Sequence, residues 1–185
     1  MNKIYLASKS PRRQELLKLM GFEFELLLKE VDESYPKNIP LTEIAPFIAK
    51  KKADAFEAKP DGIIITSDTV VLLGDEILEK PQDKNHAFEM LSKLNGKTHQ
   101  VITGVTLKSE TQTFTFSETT EVTFTQLSEE QLWYYILEFQ PFDKAGSYGV
   151  QDWIGMVGVK RIQGSYTNVM GLPTERLYKE LANYR

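Results

Sequence analysis

Four groups of residues have the types and spacing to act on a compact anion. The first is Ser8-Lys9-Ser10-Pro11-Arg12-Arg13. Serine is a favoured helix N-cap and proline a favoured first helical residue, so Ser10-Pro11 should open a helix. A helix N-terminus presents unpaired N–H groups and the positive end of its dipole. Pro11 has no N–H, so the donors are those of Arg12, Arg13 and Gln14, one of which the Ser10 hydroxyl is placed to occupy. Two guanidiniums in the same turn add bidentate phosphate recognition. The second group is Thr66-Ser67-Asp68-Thr69, directly after the apolar run 63–65. An aspartate leaving a buried strand has a fixed backbone and a partly desolvated carboxylate, which suits metal binding or general-base work. It also reads as an ordinary turn aspartate. The third is Lys80 in Glu79-Lys80-Pro81, and the fourth is the triplet Lys50, Lys51 and Lys52. On a helical wheel Lys51 falls on the Ile44/Phe47/Ile48 stripe, Lys52 at its edge and Lys50 outside it. Periodicity therefore does not select the lysine that turns inward. All of these basic groups equally read as solvated faces.

The elements that must hold these residues alternate between strand and helix. Residues 4–7 form a short apolar strand, followed by a helix from Ser10-Pro11 to Met20, with Gly21 in the left-handed position after it. Phe22, Phe24, Leu26 and Leu28 alternate as a half-buried strand. Residues 32–40 form a loop with two prolines. Thr42 should cap a helix of about 17 residues that ends before Pro60-Asp61-Gly62. Strands at 63–66 and 69–73 flank Ser67-Asp68. Asp83 caps a helix closed by Gly96. Residues 99–107, 112–116 and 121–125 read as antiparallel strands. Ser128 and Gln131 form a capping box for a helix to about Phe139. Residues 141–158 hold four glycines and read as an irregular loop. A strand near 159–163 and a helix from Pro173 to about Asn183 complete a mixed α/β pattern, with both crossovers and hairpins.

Composition narrows the chemistry further. At 185 residues the sequence reads as one domain, and 41% hydrophobic with 26% charged residues is ordinary for a globular chain. There are no cysteines, which removes thiolate nucleophiles, disulfides and cysteine-ligated metals. His86 and His99 are the only histidines, so a metal would be held by carboxylates, as suits magnesium or manganese. A net charge of −4 speaks against a general binder of nucleic-acid polymers. The longest apolar run, 132–137, is far short of the ~20 residues a membrane span needs. The apolar start is followed at once by Lys9, Arg12 and Arg13, so no signal-peptide core is read and the expected location is cytoplasmic. Gly96-Lys97-Thr98 imitates the end of a phosphate-binding P-loop, but Leu91 stands where its first glycine belongs.

Taken in order, the motifs resemble the Maf, or septum-formation, family of nucleoside triphosphate pyrophosphatases. The resemblance rests on Leu6-Ala7-Ser8-Lys9-Ser10-Pro11-Arg12-Arg13, Asp32-Glu33, Ala49-Lys50-Lys51-Lys52-Ala53, Ser67-Asp68-Thr69-Val70-Val71 and Lys80-Pro81. It continues through the stretch 96–104, Asp143-Lys144-Ala145-Gly146-Ser147-Tyr148-Gly149-Val150-Gln151 and Gly164-Ser165-Tyr166-Thr167-Asn168-Val169-Met170-Gly171-Leu172-Pro173. Glu79 departs from the family's usual glycine. The resemblance implies a single elongated α/β domain over residues 1–185. It has a mixed β-sheet with flanking helices and two lobes around a central cleft, and is usually a homodimer. It implies hydrolysis of a nucleoside triphosphate to monophosphate and pyrophosphate with Mg2+ or Mn2+. By motif match Asp68 is the proton acceptor and Glu33, with Asp68, a metal-associated carboxylate. Ser10, Arg12, Arg13, Lys52 and Lys80 would surround the phosphates. It is the resemblance that selects Lys52 over Lys51. Arg12, Thr69 and Gln151 match the branch acting on dTTP and UTP, rather than the 7-methyl-GTP branch. The alternatives are a pyrophosphatase of the 7-methyl-GTP type, which Arg12 and Thr69 oppose, and a regulator of septum formation that binds nucleotide without turning it over.

Overall fold

The apolar stretch at the start of the chain forms β1 (Lys3–Leu6), with Ile4 and Leu6 buried. The computed structural model describes residues 2–184. Helix α1 (Pro11–Leu19) buries Leu16 and Leu17 and ends at Gly21, whose φ of +83° favours glycine. β2 (Phe24–Leu26), α2 (Ile44–Asp54), β3 (Gly62–Leu73) and β4 (Glu76–Leu78) follow. Next come α3 (Lys84–Leu94), β5 (Thr98–Lys108), β6 (Thr113–Phe124) and α4 (Glu129–Phe139). The chain closes with α5 (Trp153–Gly158), β7 (Val159–Gln163), α6 (Tyr166–Val169) and α7 (Thr174–Leu181).

The strands make a seven-stranded mixed sheet in the order β2-β1-β3-β5-β6-β7, with β4 paired to β3. β1 is parallel to both β2 and β3, and Leu6 stands opposite Ile65. β3–β4 and β6–β7 are antiparallel. Packing divides the chain into two compact units. One comprises the segments up to Thr69, Thr103–Glu118 and from Gly171 onward; the other comprises Val70–Ile102 and Thr119–Met170. In the first, β1 lies between β2 and β3, so the chain leaves it to one side and returns on the other. Ligands of open α/β sheets bind beyond the C-terminal strand ends at such a switch point. The residues there are Ser8–Ser10 after β1 and 66–69 of β3.

The second unit packs Val71, Leu78, Leu91, Leu94, Phe124, Leu132 and Tyr135 into one core. Its helices carry their own start signals. Asp83 accepts from the N–H groups of Asn85 and His86, and the Ser128–Gln131 capping box is reciprocal. Phe88 of α3 stacks on Trp133 of α4 at 4.6 Å. His99, 2% exposed, bonds the Tyr148 hydroxyl at 2.7 Å through Nε2. Burial lowers its pKa from 6.5 to about 4. It therefore stays neutral in the folded chain where the unfolded chain takes up a proton. His99 thus contributes stability that is complete above pH 6.5 and is lost as the pH falls to about 4. The span corresponds to about 3 kcal/mol. Urea titrations of a His99→Gln variant should show a shallower loss of stability across this window, and an unchanged slope would contradict the assignment.

Several expectations are corrected. Residues 62–73 are one strand, not two around Ser67-Asp68, so Asp68 sits inside β3 rather than at its exit. Residues 113–124 are likewise one strand. The helix expected from Thr42 begins at Ile44 after a 3-10 turn and stops at Asp54. The alternating 22–28 stretch pairs only at Phe24–Leu26, with Leu26 and Leu28 exposed. Within 141–158 lies a short helix, α5. Ser10 takes the N-cap position, but its hydroxyl makes no capping bond among the described residues.

Candidate active site

Alternation along β3 sorts its polar residues onto two faces. Thr66 and Asp68 share one. The Thr66 hydroxyl donates to the Ala49 carbonyl of α2 at 2.6 Å, and two residues on, Asp68 Oδ1 takes a bond from Lys52 Nζ at 2.8 Å. Helix α2 comes this close because β5 has glycine beneath it. A Cβ on Gly104 would lie 2.4 Å from Pro46 N and 2.5 Å from the Ala45 carbonyl carbon. The lysine triplet is thereby resolved. Lys50 pairs with Asp54, Lys51 with Asp32, and Lys52 with Asp68. Lys52 Nζ also lies 2.9 Å from Glu33 Oε1, so two carboxylates share one ammonium. Burial drives the Asp68 carboxyl above its ordinary pKa. The Lys52 ammonium and the Arg13 guanidinium oppose that rise, and the Glu33 carboxylate adds to it.

Ser67 and Thr69 face the other way, toward α1 and the turn at Gly171. Arg13 spans all three: Nε donates to the Gly171 carbonyl at 2.8 Å, Nη1 to the Ser67 carbonyl at 2.9 Å and Nη2 to Thr69 Oγ1 at 3.0 Å. The Ser67 hydroxyl bonds the same Gly171 carbonyl at 3.2 Å. Thr69 Oγ1 also lies 2.9 Å from Thr103 Oγ1. Burial pulls the Arg13 guanidinium below its ordinary pKa, against the attraction of Asp68. A guanidinium has five N–H donors, and Arg13 spends three on protein oxygens, two of them on the residues that flank Asp68. Its position is therefore built into the wall of the site.

Arg13→Ala removes the charged bonds to the Ser67 and Gly171 carbonyls, leaving Gly171 only the Ser67 hydroxyl, and should cost about 1–3 kcal/mol of stability together with a rise in KM or a fall in kcat. Arg13→Lys should recover only part of both, since one ammonium does not span three acceptors. Urea midpoints and steady-state kinetics on the pair test this. A lysine variant equal to wild type would mean that the fork geometry is irrelevant.

Ser10, Arg12, Arg13, Glu33, Lys52, Asp68 and Thr69 thus belong to the first unit, at the switch point or beside it. Lys80 and Gln151 belong to the second. Lys80 is exposed just beyond β4, and the Glu79 carbonyl before it accepts the Gly146 N–H at 3.2 Å. Gln151 is half-buried, and its Oε1 is buried with no hydrogen-bond partner among the described residues. No group of three potential metal-ligating side chains gathers among the described residues. Glu33 and Asp68 nonetheless converge on one cation, the Lys52 ammonium, so the pair suits a further positive charge brought with a polyphosphate. Gly104 and Thr103 lie in the 96–104 stretch of the resemblance, but nothing local in the sequence marks them as neighbours of α2 and Thr69, because both contacts are long-range.

The model of the Maf-like protein family matches residues 3–184. The chain is 52% identical over 182 residues to a dTTP/UTP pyrophosphatase of Phocaeicola vulgatus, covering 97% of this chain and 94% of that protein. It is 50% identical over 184 residues to a dTTP/UTP pyrophosphatase of Flavobacterium psychrophilum, covering 98% and 94%. Among solved structures it is similar to the Ham1 protein of Staphylococcus aureus. The TM-score is 0.56, with 13% identity over 99% of this chain and 100% of that one, a likeness of fold.

Proposed function

Because this chain belongs to the Maf-like family, we propose that it hydrolyses dTTP and UTP to the nucleoside monophosphate and pyrophosphate. Modified pyrimidine triphosphates with the same base edge fall within the same class. The observation that carries the reading is the buried Asp68 carboxylate, tied to Lys52 in company with Glu33. A site that only binds a metal polyphosphate can use such carboxylates as metal ligands, but it has no use for one poised to take a proton. A base that removes a proton from water needs one whose pKa is lifted toward the working pH.

The residues divide the work as follows. Ser10, Arg12 and the first turn of α1 hold phosphate oxygens at the switch point, and Arg13 holds the Ser67 carbonyl and the Thr69 hydroxyl on either side of Asp68. Asp68 takes a proton from a water whose oxygen attacks the α-phosphorus. The bond from that phosphorus to the bridging oxygen breaks, and pyrophosphate leaves with the electron pair. Lys52 and Lys80 offset the charge that moves onto the leaving group. Glu33 and Asp68 would hold Mg2+ or Mn2+, with phosphate oxygens and water completing the shell, as is usual for magnesium. Such an ion, when bound, lowers the pKa of water and neutralises phosphate charge. Thr69 and Gln151 read the base.

Incubation with each nucleoside triphosphate, followed by identification of the products, tests the reading. Monophosphate and pyrophosphate from dTTP and UTP are expected. Release of orthophosphate and a nucleoside diphosphate would overturn it.

A further inference from the structure

Gln151 is held by a bracket that its sequence motif does not contain. Tyr135, in the middle of α4, is fully buried, yet its hydroxyl is not idle. It donates to Asp152 Oδ2 at 2.7 Å and accepts the Gly149 N–H at 3.0 Å. These partners stand on either side of Gln151. The Asp152 N–H returns to the Gly149 carbonyl at 3.0 Å and closes the turn. Gly149 has no side chain, and a Cβ there would lie 2.6 Å from both Gln151 Nε2 and Asp152 Oδ2. The amide of Gln151 therefore packs down onto the bracketed turn.

Three further observations give the bracket a purpose. Phenylalanine would fill the same space in this core, so packing alone does not call for the hydroxyl. Ser147, just upstream, holds a φ of +64°, which a non-glycine residue keeps only where its surroundings impose it. Gln151 Oε1 is buried with no partner among the described residues, and buried acceptors are normally paired. An acceptor left unsatisfied beside a fixed turn is what a donor on a ligand would complete.

We propose that Tyr135 is a positioning residue for base selection, its hydroxyl holding the Gly149–Asp152 turn so that the Gln151 amide meets the N3–H edge of a uracil or thymine. This rests on the reading that Gln151 contacts the base. A positioning residue supported by a capped helix gives more exact placement than a free loop.

The test is a double-mutant cycle with Tyr135→Phe and Gln151→Ala, reading kcat/KM for dTTP and for dCTP, with thermal melts to verify folding. Tyr135→Phe should lower kcat/KM for dTTP about tenfold, chiefly through KM, and leave dCTP little changed. In the Gln151→Ala background the same substitution should have no further effect on the dTTP/dCTP ratio. Asp152→Ala, which cuts the bracket from its half-exposed end, should narrow the ratio in the same direction. A folded Tyr135→Phe or Asp152→Ala protein with the wild-type ratio overturns the proposal, as does an equal effect with and without the Gln151 amide. Wild type without any preference for dTTP over dCTP would be a different result, overturning the substrate reading and this proposal with it.

Discussion

Asp68→Asn should lower turnover of dTTP by about 10²-fold or more while the protein remains folded. Asparagine keeps the shape and can still accept the Lys52 bond through its amide oxygen, but it does not take a proton from water. Stability should move the other way from activity. Burial raises the folded pKa of Asp68 above its ordinary 3.8. An acid shifted in that direction contributes stability below its unfolded value and loses it as the pH rises through the folded one. At neutral pH the wild-type chain therefore holds a carboxylate in a place that disfavours it, and Asn relieves that cost. Melting at pH 7 should find the variant at least as stable as wild type, with the difference shrinking toward low pH. Near-normal turnover in the folded variant would reject Asp68 as the base. A large loss of stability would mean that the Lys52–Asp68 pair holds the fold together rather than serving the chemistry.

What the sequence makes legible is what local interactions decide. Asp83, and Ser128 with Gln131, carry their start signals within one turn, and both helices begin where those residues place them. From sequence β3 reads as two strands, for the opposite reason. A central strand is expected to be apolar, so Thr66-Ser67-Asp68-Thr69 looks like an interruption. The interruption vanishes because each side chain finds a partner far along the chain. Thr66 reaches Ala49, Ser67 reaches Gly171, Asp68 reaches Lys52, and Thr69 receives Arg13. The lysine triplet shows the same limit. A helical wheel knows the axis of α2 but not where Asp68 and Asp32 lie, and those partners separate Lys52 from Lys51. Arg13 is legible as a cation near a phosphate site, but its three acceptors are not. Tyr135 reads simply as part of an apolar helix, since nothing nearby in sequence marks its hydroxyl as the partner of Gly149 and Asp152.

Competition between nucleotides should show dTTP and UTP preferred over dCTP by about 10²-fold in kcat/KM, with dATP and dGTP also poor. The acceptor at Gln151 Oε1, buried with no partner among the described residues, is the reason for the sign. Uracil and thymine offer a donor at N3 and a carbonyl at position 4, so the amide can accept from one and donate to the other. Cytosine has an acceptor at N3 and an amino group at position 4. It would set acceptor against acceptor and donor against donor. Leaving both groups unpaired in a buried site costs several kcal/mol, roughly the difference a 10²-fold preference requires. On the proposed reading, Thr69 would favour the same bases. Arg13 Nη2 donates into its hydroxyl at 3.0 Å, so that oxygen is committed as an acceptor toward the guanidinium. Its own hydrogen is left for Thr103, 2.9 Å away, or for the substrate. Thymine and uracil differ only by a methyl group, which an apolar contact distinguishes weakly, so the two should agree within about tenfold. Gln151→Ala should bring dTTP down toward dCTP without raising dCTP. If dCTP or 7-methyl-GTP matched dTTP in kcat/KM, Arg12, Thr69 and Gln151 would not be the residues that choose the base, even with the pyrophosphatase chemistry intact.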